Sequence, residues 1–297
     1  MLGAIVVDKP EGWTSHDVVN RMRRLAGTRS VGHLGTLDPL ATGVLPLLLG
    51  DATRLARFYG AAEKVYEAVV RFGFATSSYD REGEPLGPVS PVNFDAAALE
   101  SALAAFRGKL QQMPPPVSAK KIRGVAAYKM PRAEAQAALQ PVPVEVFELA
   151  LLWLADSRAG LRVHCSAGTY VRSIAHDLGV ALGCGAHVEQ LRRTRSGAFV
   201  IEQARTLEQL QLLREEDRFE EALLRPADLL PEIPSAYVDL DTAGQIRNGR
   251  DFRVSPFRQD AGSRFVKALG AQDELLAIGE AVLPNLYHPV VVFPGLR

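Results

Sequence analysis

Gly32-His33-Leu34-Gly35-Thr36-Leu37-Asp38-Pro39-Leu40-Ala41-Thr42-Gly43-Val44-Leu45-Pro46-Leu47-Leu48-Leu49-Gly50 is the stretch from which the rest of the chain can be read. Three glycines and one proline within its first twelve residues forbid a regular helix there, because glycine gives up ordering entropy and proline fixes φ while removing a donor. The apolar run Val44 to Leu49 then predicts a buried strand. Asp38 therefore sits on a sharp turn that leads into the core, close to His33, where its carboxylate can be aimed. A loop held by a rigid scaffold is where chemistry is commonly placed. Asp before Pro is also a common turn opener and Asp a common helix cap, so spacing alone leaves a plain turn open. A phosphate-cradling loop is excluded, since no Lys-Ser or Lys-Thr follows the last glycine.

At 297 residues the chain exceeds one comfortable core and predicts a large domain with a smaller companion. Apolar residues at 47% and charged residues at 23% describe an ordinary globular protein and exclude disorder. No apolar run approaches the roughly 20 residues that span a bilayer. The N-terminus lacks a charged leader and cleavage site, which predicts a cytoplasmic protein. Cys165 and Cys184 are too few for a disulfide framework and lack zinc-site spacing, so both read as packing residues. The net charge is zero, yet Arg107 to Arg132 holds seven basic residues and no acid, while Glu202 to Glu232 holds nine acids against four arginines. One face can thus be positive toward phosphates, because they respond to the local field. Charge runs of this kind are more commonly solvated faces.

Gly3 to Asp8 reads as a strand stopped by the turn Lys9-Pro10-Glu11-Gly12. Ser15 is the expected N-cap of a helix to about Ala26, with Val18, Val19, Met22 and Leu25 on one stripe. Ala52 to Phe58 can form a helix. Lys64 to Phe74 alternates, placing Tyr66, Ala68, Val70 and Phe72 on one face and Glu67, Val69 and Arg71 on the other. Asp95 can cap a helix to about Arg107. Met113 to Val117 is extended by its prolines and opens a basic segment with Lys120, Lys121, Arg123 and Tyr128, a composition suited to a folded RNA loop. Strands are expected at Val142 to Leu154 and Leu161 to Ser166, the latter turning through Gly168 into a helix with Ile174, Ala175 and Leu178 buried. Helical patterns from Thr206 to about Leu230 lead to a linker near Pro231 and Pro234, followed by short glycine-punctuated strands that predict a small β-barrel.

The string from Gly32 to Gly43 resembles the signature of the tRNA pseudouridine synthase B family, which isomerises a uridine in the T-loop of tRNA. Further elements of that family are similar to Asp8-Lys9-Pro10-Glu11-Gly12, Lys64-Val65-Tyr66, Gly168-Thr169-Tyr170-Val171-Arg172 and Leu191-Arg192-Arg193. The resemblance implies an α+β fold: a central mixed, mainly antiparallel sheet flanked by helices over residues 1–231, a basic RNA-gripping insertion at about 110–142, and a PUA-like RNA-binding domain at 235–297. It implies that Asp38 is catalytic and paired with Arg172. Tyr66 stacks on the target uracil, Tyr170 lines the pocket, Leu191 forms a wall, and His33 occupies the space the flipped base vacates. Lys9, Lys120, Lys121, Arg123, Arg192 and Arg193 are the candidates for RNA-backbone contacts. The reaction breaks a glycosidic bond and rejoins the same base through C5, so no cofactor and no metal are expected. The expected partner is the T-arm of tRNA, without guide RNA, protein partner or membrane, and the chain is expected to be a monomer. Three routes stay open at this point: attack by Asp38 at C1′, attack at C6, or removal of a sugar proton. An aspartate-dependent N-glycosylase and a non-catalytic tRNA chaperone are the rival readings.

Overall fold

The computed structural model describes residues 1–118, the backbone of 121–122 and 125–126, and residues 138–255 and 263–293. Lys120, Arg123 and the side chain of Lys121 lie outside the described residues. In the larger part of the chain the strands are β1 Gly3–Lys9, β2 Val31–His33, β3 Thr42–Leu49, β4 Lys64–Phe72, β5 Gly108–Gln112, β6 Lys121–Ile122, β7 Val125–Ala126, β8 Val142–Ala155, β9 Arg158–Cys165, β10 Ala186–Ser196 and β11 Phe199–Val200. Toward the C-terminus follow β12 Ser235–Tyr237, β13 Phe252–Arg253, β14 Phe265–Leu269, β15 Leu275–Leu283 and β16 Leu286–Val292. The α-helices are α1 Ser15–Ala26, α2 Ala96–Ala104, α3 Val171–Ala181, α4 Leu207–Glu215 and α5 Leu240–Arg247.

The main sheet runs β1-β3-β10-β4-β9-β8-β5, with β2 added to β3 and β11 to β10. Every ladder in it is antiparallel except β10 with β3, so the sheet is mixed and mainly antiparallel. That parallel ladder is short, pairing only Arg192 with Thr42 and Arg193 with Gly43. Past it the sheet splits. The turn after β4 fills the gap along the free edge of β10, where the Arg81 amide donates to Val188 O at 2.9 Å and the Val188 amide to Tyr79 O at 3.0 Å. Residues distant in sequence are thereby delivered to the break in the sheet.

Helices cover one face. The α1 stripe of Val18, Val19, Met22 and Leu25 packs in one core with Ile5 and Val7 of β1, Val70 of β4, Leu161 of β9 and Ile174 and Leu178 of α3. Fully burying such side chains contributes about 1.5–3 kcal/mol each. The cap of α1 falls one residue before Ser15. Thr14 is the N-cap, with the Asp17 amide donating to Thr14 Oγ1 at 3.1 Å and the Thr14 amide to Asp17 Oδ2 at 3.0 Å. This reciprocal box satisfies two orphan donors and releases Ser15 for another task.

Where a helix is expected at Ala52 to Phe58, the chain forms a 3₁₀ segment, Gly50–Tyr59. The helical patterns expected from Thr206 to about Leu230 form α4 followed by two short 3₁₀ turns. After the linker, β12-β14-β15-β16-β13 form a curled five-stranded sheet with α5, which fits a PUA-like domain. Among the described residues β12 and β13 end the order without pairing to each other. Its Leu269, Ile278, Val291 and Phe293 share a core with Ala4, Val6, Val44 and Leu48 of the main sheet, together with Leu229, Leu230 and Ile233 of the linker. Among the described residues no helix is long and apolar enough to cross a membrane.

Candidate active site

The loop between β2 and β3 is fastened on both sides of Asp38. Ser15 Oγ accepts the Leu37 amide at 2.8 Å, and its hydroxyl donates to Leu37 O at 3.2 Å. Lys9 Nζ donates to Pro39 O at 3.1 Å as well as to Trp13 O at 2.6 Å and Pro10 O at 2.8 Å. Arg193 Nη2 donates to Gly35 O at 3.1 Å and its Nε to Val44 O at 2.8 Å. Leu37, Leu40 and Ala41 are buried and act as apolar pins. Gly43 has φ of +97°, and a Cβ there would come within 2.2 Å of Arg193 O. Only glycine lets β3 pass this close to β10. A carboxylate on so restrained a turn loses little freedom on engaging a substrate.

These contacts correct two assignments. The resemblance makes Lys9 and Arg193 candidates for the RNA backbone, but they are 0% and 1% exposed. Both heads are spent on backbone carbonyls: Lys9 ties the turn after β1 to Pro39 of the loop, and Arg193 ties Gly35 of the loop to Val44 of β3, so they brace the loop and do not face outward to a phosphate. Burial lowers the Lys9 pKa to about 8, against the raising effect of Asp38. Arg192 is half-exposed and makes a bidentate pair with Asp8, at 3.0 Å and 2.8 Å.

Asp38 meets Arg172 from the first turn of α3. Arg172 Nη2 donates to Asp38 Oδ1 at 3.0 Å, while Nε lies 2.9 Å from Oδ2 but out of line for a hydrogen bond. The arginine is 3% exposed. Its remaining donors reach Ser78 O at 2.9 Å, Asp80 Oδ2 at 3.1 Å and Val117 O at 3.0 Å. Arg172 thus bridges two carboxylates. Burial pushes the Asp38 carboxyl above its ordinary value; the Arg172 charge opposes this and the nearby Asp80 adds to it. Asp80 is held in turn by Ser78 Oγ at 2.5 Å and by the Glu82 amide at 3.1 Å, both to Oδ1.

Asp38 and Arg172 open into a cavity of about 530 Å³, also lined by Tyr66, Tyr170, Leu191, Lys64 and Arg193. That is within the range of about 300–1,000 Å³ typical of small-molecule sites. Tyr66 comes from the buried face of β4, directly across from Arg193 in the β4–β10 ladder. Tyr170 precedes α3, and its backbone is clamped by Gln112: its amide donates to Gln112 Oε1 at 2.7 Å and Gln112 Nε2 donates to its carbonyl at 3.0 Å. Burial raises the pKa of both tyrosines, so each remains a neutral phenol at neutral pH. His33 is not among the residues lining this cavity. It is paired with Leu47 between β2 and β3, and burial with the Arg193 charge lowers its pKa. Among the described residues no group of three or more His, Cys, Asp or Glu is placed to hold a metal ion.

The sequence does not single out Asp80, Ser78, Ser15 or Gln112 for the site. The signal for Asp80 is the turn Thr76 to Gly83, whose Ser, Asp and Gly residues mark a tight loop but do not point to an arginine 92 positions away.

A mixed sheet broken between β3 and β10, with an arginine-paired aspartate facing an aromatic-walled cavity at the break, places the chain in the pseudouridine synthase fold class. Residues 23–171 match the family model described as TruB family pseudouridylate synthase, N terminal domain, and residues 172–231 match the tRNA pseudouridylate synthase B C-terminal domain. The chain belongs to the TruB family of pseudouridylate synthases. It is 60% identical to the tRNA pseudouridine synthase B of Solibacter usitatus (strain Ellin6076), over 98% of this chain and 100% of that one. With the protein of the same name from Parasynechococcus marenigrum (strain WH8102) it shares 42% identity, over 98% and 97%. Among solved structures it resembles a chain of an H/ACA RNP bound to a substrate RNA containing 2′-deoxyuridine, with TM-score 0.74 and 25% identity over 98% of this chain and 85% of that one. It also resembles a chain of a Cbf5-Nop10-Gar1 complex, with TM-score 0.73 and 26% identity over 98% and 84%.

Proposed function

We propose that this protein converts uridine to pseudouridine in tRNA, at position 55 of the T-loop, with Asp38 as the reacting carboxylate. The observation that carries the reading is the Asp38–Arg172 pair at the cavity shared with Tyr66 and Leu191. The base must leave its stack to reach that cavity, which costs a few kcal/mol and least where it already lies in a loop. There the N1–C1′ bond breaks, the uracil turns, a C5–C1′ bond forms, and the C5 proton is released while N1 regains one. Arg172 favours the ionised form of Asp38, as a nucleophile or base requires. Tyr66 offers an aromatic face to the uracil and Leu191 an apolar wall that retains it while detached. The attack at C1′, the attack at C6 and the loss of a sugar proton all begin from the same ionised carboxylate.

In this reading the chain divides into a catalytic domain, 1–231, and an RNA-binding domain, 235–297. It acts in the cytoplasm as a monomer on tRNA alone, with no cofactor, guide RNA or protein partner. The purified chain is expected to release tritium from C5-labelled uridine in a T-arm stem-loop, with pseudouridine recovered as the product nucleoside. Free uracil as product would instead mean an N-glycosylase, and unmodified RNA after prolonged incubation a chaperone.

The basic segment supplies a second measurement. Replacing Lys120, Lys121 and Arg123 together by Ala is expected to weaken tRNA binding and flatten its salt dependence, by about 0.7 to 0.9 in log-log slope for each phosphate that is no longer neutralised. Filter binding across a salt series checks this, and an unchanged slope would return the three to an ordinary solvated surface.

A further inference from the structure

Tyr79 stands between the two groups that Arg172 Nη1 engages, the Ser78 carbonyl and the Asp80 carboxylate. Its φ is +67°, a left-handed conformation that is unfavourable for a residue with a Cβ. Such a conformation persists only where the surroundings over-determine it. The backbone supplies part of the restraint. The Tyr79 amide donates to Thr76 O at 3.3 Å, the Val188 amide to Tyr79 O at 3.0 Å, and Thr76 Oγ1 to Asp80 O at 2.5 Å.

The side chain adds to that restraint. The Tyr79 ring lies against the His176 imidazole with centroids 3.7 Å apart and planes 10° from parallel. His176 follows Arg172 by four residues on α3, so the two share one face of the helix. Nδ1 of His176 is buried without a hydrogen-bond partner among the described residues, so no bond from that nitrogen sets the ring plane. Burial also lowers the His176 pKa, which keeps the imidazole neutral near neutral pH. A closed circuit results: helix α3 presents Arg172 and His176, and the turn answers with Ser78 and Asp80 for the first and Tyr79 for the second.

We infer that the Tyr79–His176 stack is a positioning clamp, which holds the 78–80 turn in its left-handed kink and so fixes Arg172 Nη1, leaving Nη2 and Nε turned to Asp38. Neither ring lines the cavity with Asp38, so both act through Arg172 and not on the substrate. The inference rests on the proposed roles of Asp38 and Arg172.

Single-turnover rates and RNA affinity separate the possibilities. His176→Ala and the volume-filling His176→Leu are both expected to lower the rate about tenfold with affinity nearly unchanged, whereas His176→Phe, which keeps a flat π face, restores it to within about twofold. In an Asp80→Asn background His176→Leu is expected to add little further loss, because partners in one circuit are not additive. A purely structural role predicts lower thermal stability in His176→Leu with no change in rate, or losses that add in full to Asp80→Asn; either result overturns the clamp. Arg172→Ala, measured in the same series, keeps the two levels apart. If it retains full turnover, the underlying site assignment fails. If it is inert while His176→Leu matches the unaltered chain, only the clamp fails.

Discussion

Asp38→Asn is expected to abolish turnover, by at least about 10⁴-fold or roughly 5.5 kcal/mol of transition-state stabilisation, with the protein fully folded. An amide neither attacks carbon nor removes a proton as an ionised carboxylate does. The loop does not depend on the charge for its shape, because Ser15, Lys9 and Arg193 hold the residues around position 38 through backbone atoms. Asn keeps one oxygen to accept the Arg172 Nη2 bond. Stability moves the opposite way from activity. Because the folded-state pKa of Asp38 is raised above 3.8, the unfolded chain releases this proton first as pH rises, and stability is lost between the unfolded and folded values. At neutral pH the ionised Asp38 therefore lowers stability, and the Asn variant should melt no lower than the unaltered chain. RNA affinity should stay within about tenfold, or 1.4 kcal/mol. Single-turnover kinetics with excess enzyme, thermal melts and filter binding check all three, and near-normal turnover by the Asn variant would remove Asp38 from the mechanism.

The parts of this fold that can be read from the sequence are those whose pattern is local. Strand β4 alternates from Tyr66 onward, and its buried face of Tyr66, Ala68, Val70 and Phe72 is the one expected. Helix α1 carries its stripe at helical spacing and ends at Gly27 with φ of +63°. The Asp38 loop announces itself by glycine and proline. By contrast β10, an interior strand between β3 and β4, does not read as a strand at all. Two bulges, between Val188 and Gln190 and between Arg193 and Arg195, break its alternation. Its arginines also suggest solvent, yet Arg193 is buried because carbonyl oxygens from the Asp38 loop and β3 satisfy its donors.

The same physics hides Lys9, and for both residues a charged side chain serves the backbone of another segment. In both cases the bond into the Asp38 loop, from Lys9 to Pro39 and from Arg193 to Gly35, joins residues far apart in sequence, which no window of neighbouring residues contains. Asp38, Tyr66, Tyr170, Arg172 and Leu191 are named by motif resemblance, and the structure gathers them at one cavity. Asp80 needs the fold, since the turn that carries it reaches the site only by pairing with the edge of β10. In the C-terminal sheet, α5 escapes a reading by pattern because Leu240–Arg247 is largely polar and carries only a weak apolar stripe, Ala243 and Ile246.

Arg172→Ala is expected to lower turnover at neutral pH by about 10³-fold, roughly 4 kcal/mol, and also to destabilise the fold, unlike Asp38→Asn. The substitution leaves Asp80, 3% exposed, and Asp38 facing each other without the cation between them. Breaking a buried pair by removing one partner costs about 3–5 kcal/mol. Asp38 relieves this by holding its proton, because its pKa rises further once the charge that opposes burial is gone. The acid limb of kcat/KM, which reports groups of the free enzyme, should therefore move to higher pH, and part of the lost rate should return as pH is raised. Arg172→Lys tests charge against geometry. Lysine keeps the charge but has three donors on a single nitrogen, where the guanidinium reaches Asp38, Asp80, Ser78 O and Val117 O in four directions. Its acid limb should stay near that of the unaltered chain while its rate falls well below it. Rate profiles across pH for the three proteins, alongside urea melts, decide the matter. An acid limb that does not move in Arg172→Ala would show that the guanidinium does not govern the ionisation of Asp38, and its contribution would then be reduced to holding the turn that carries Asp80.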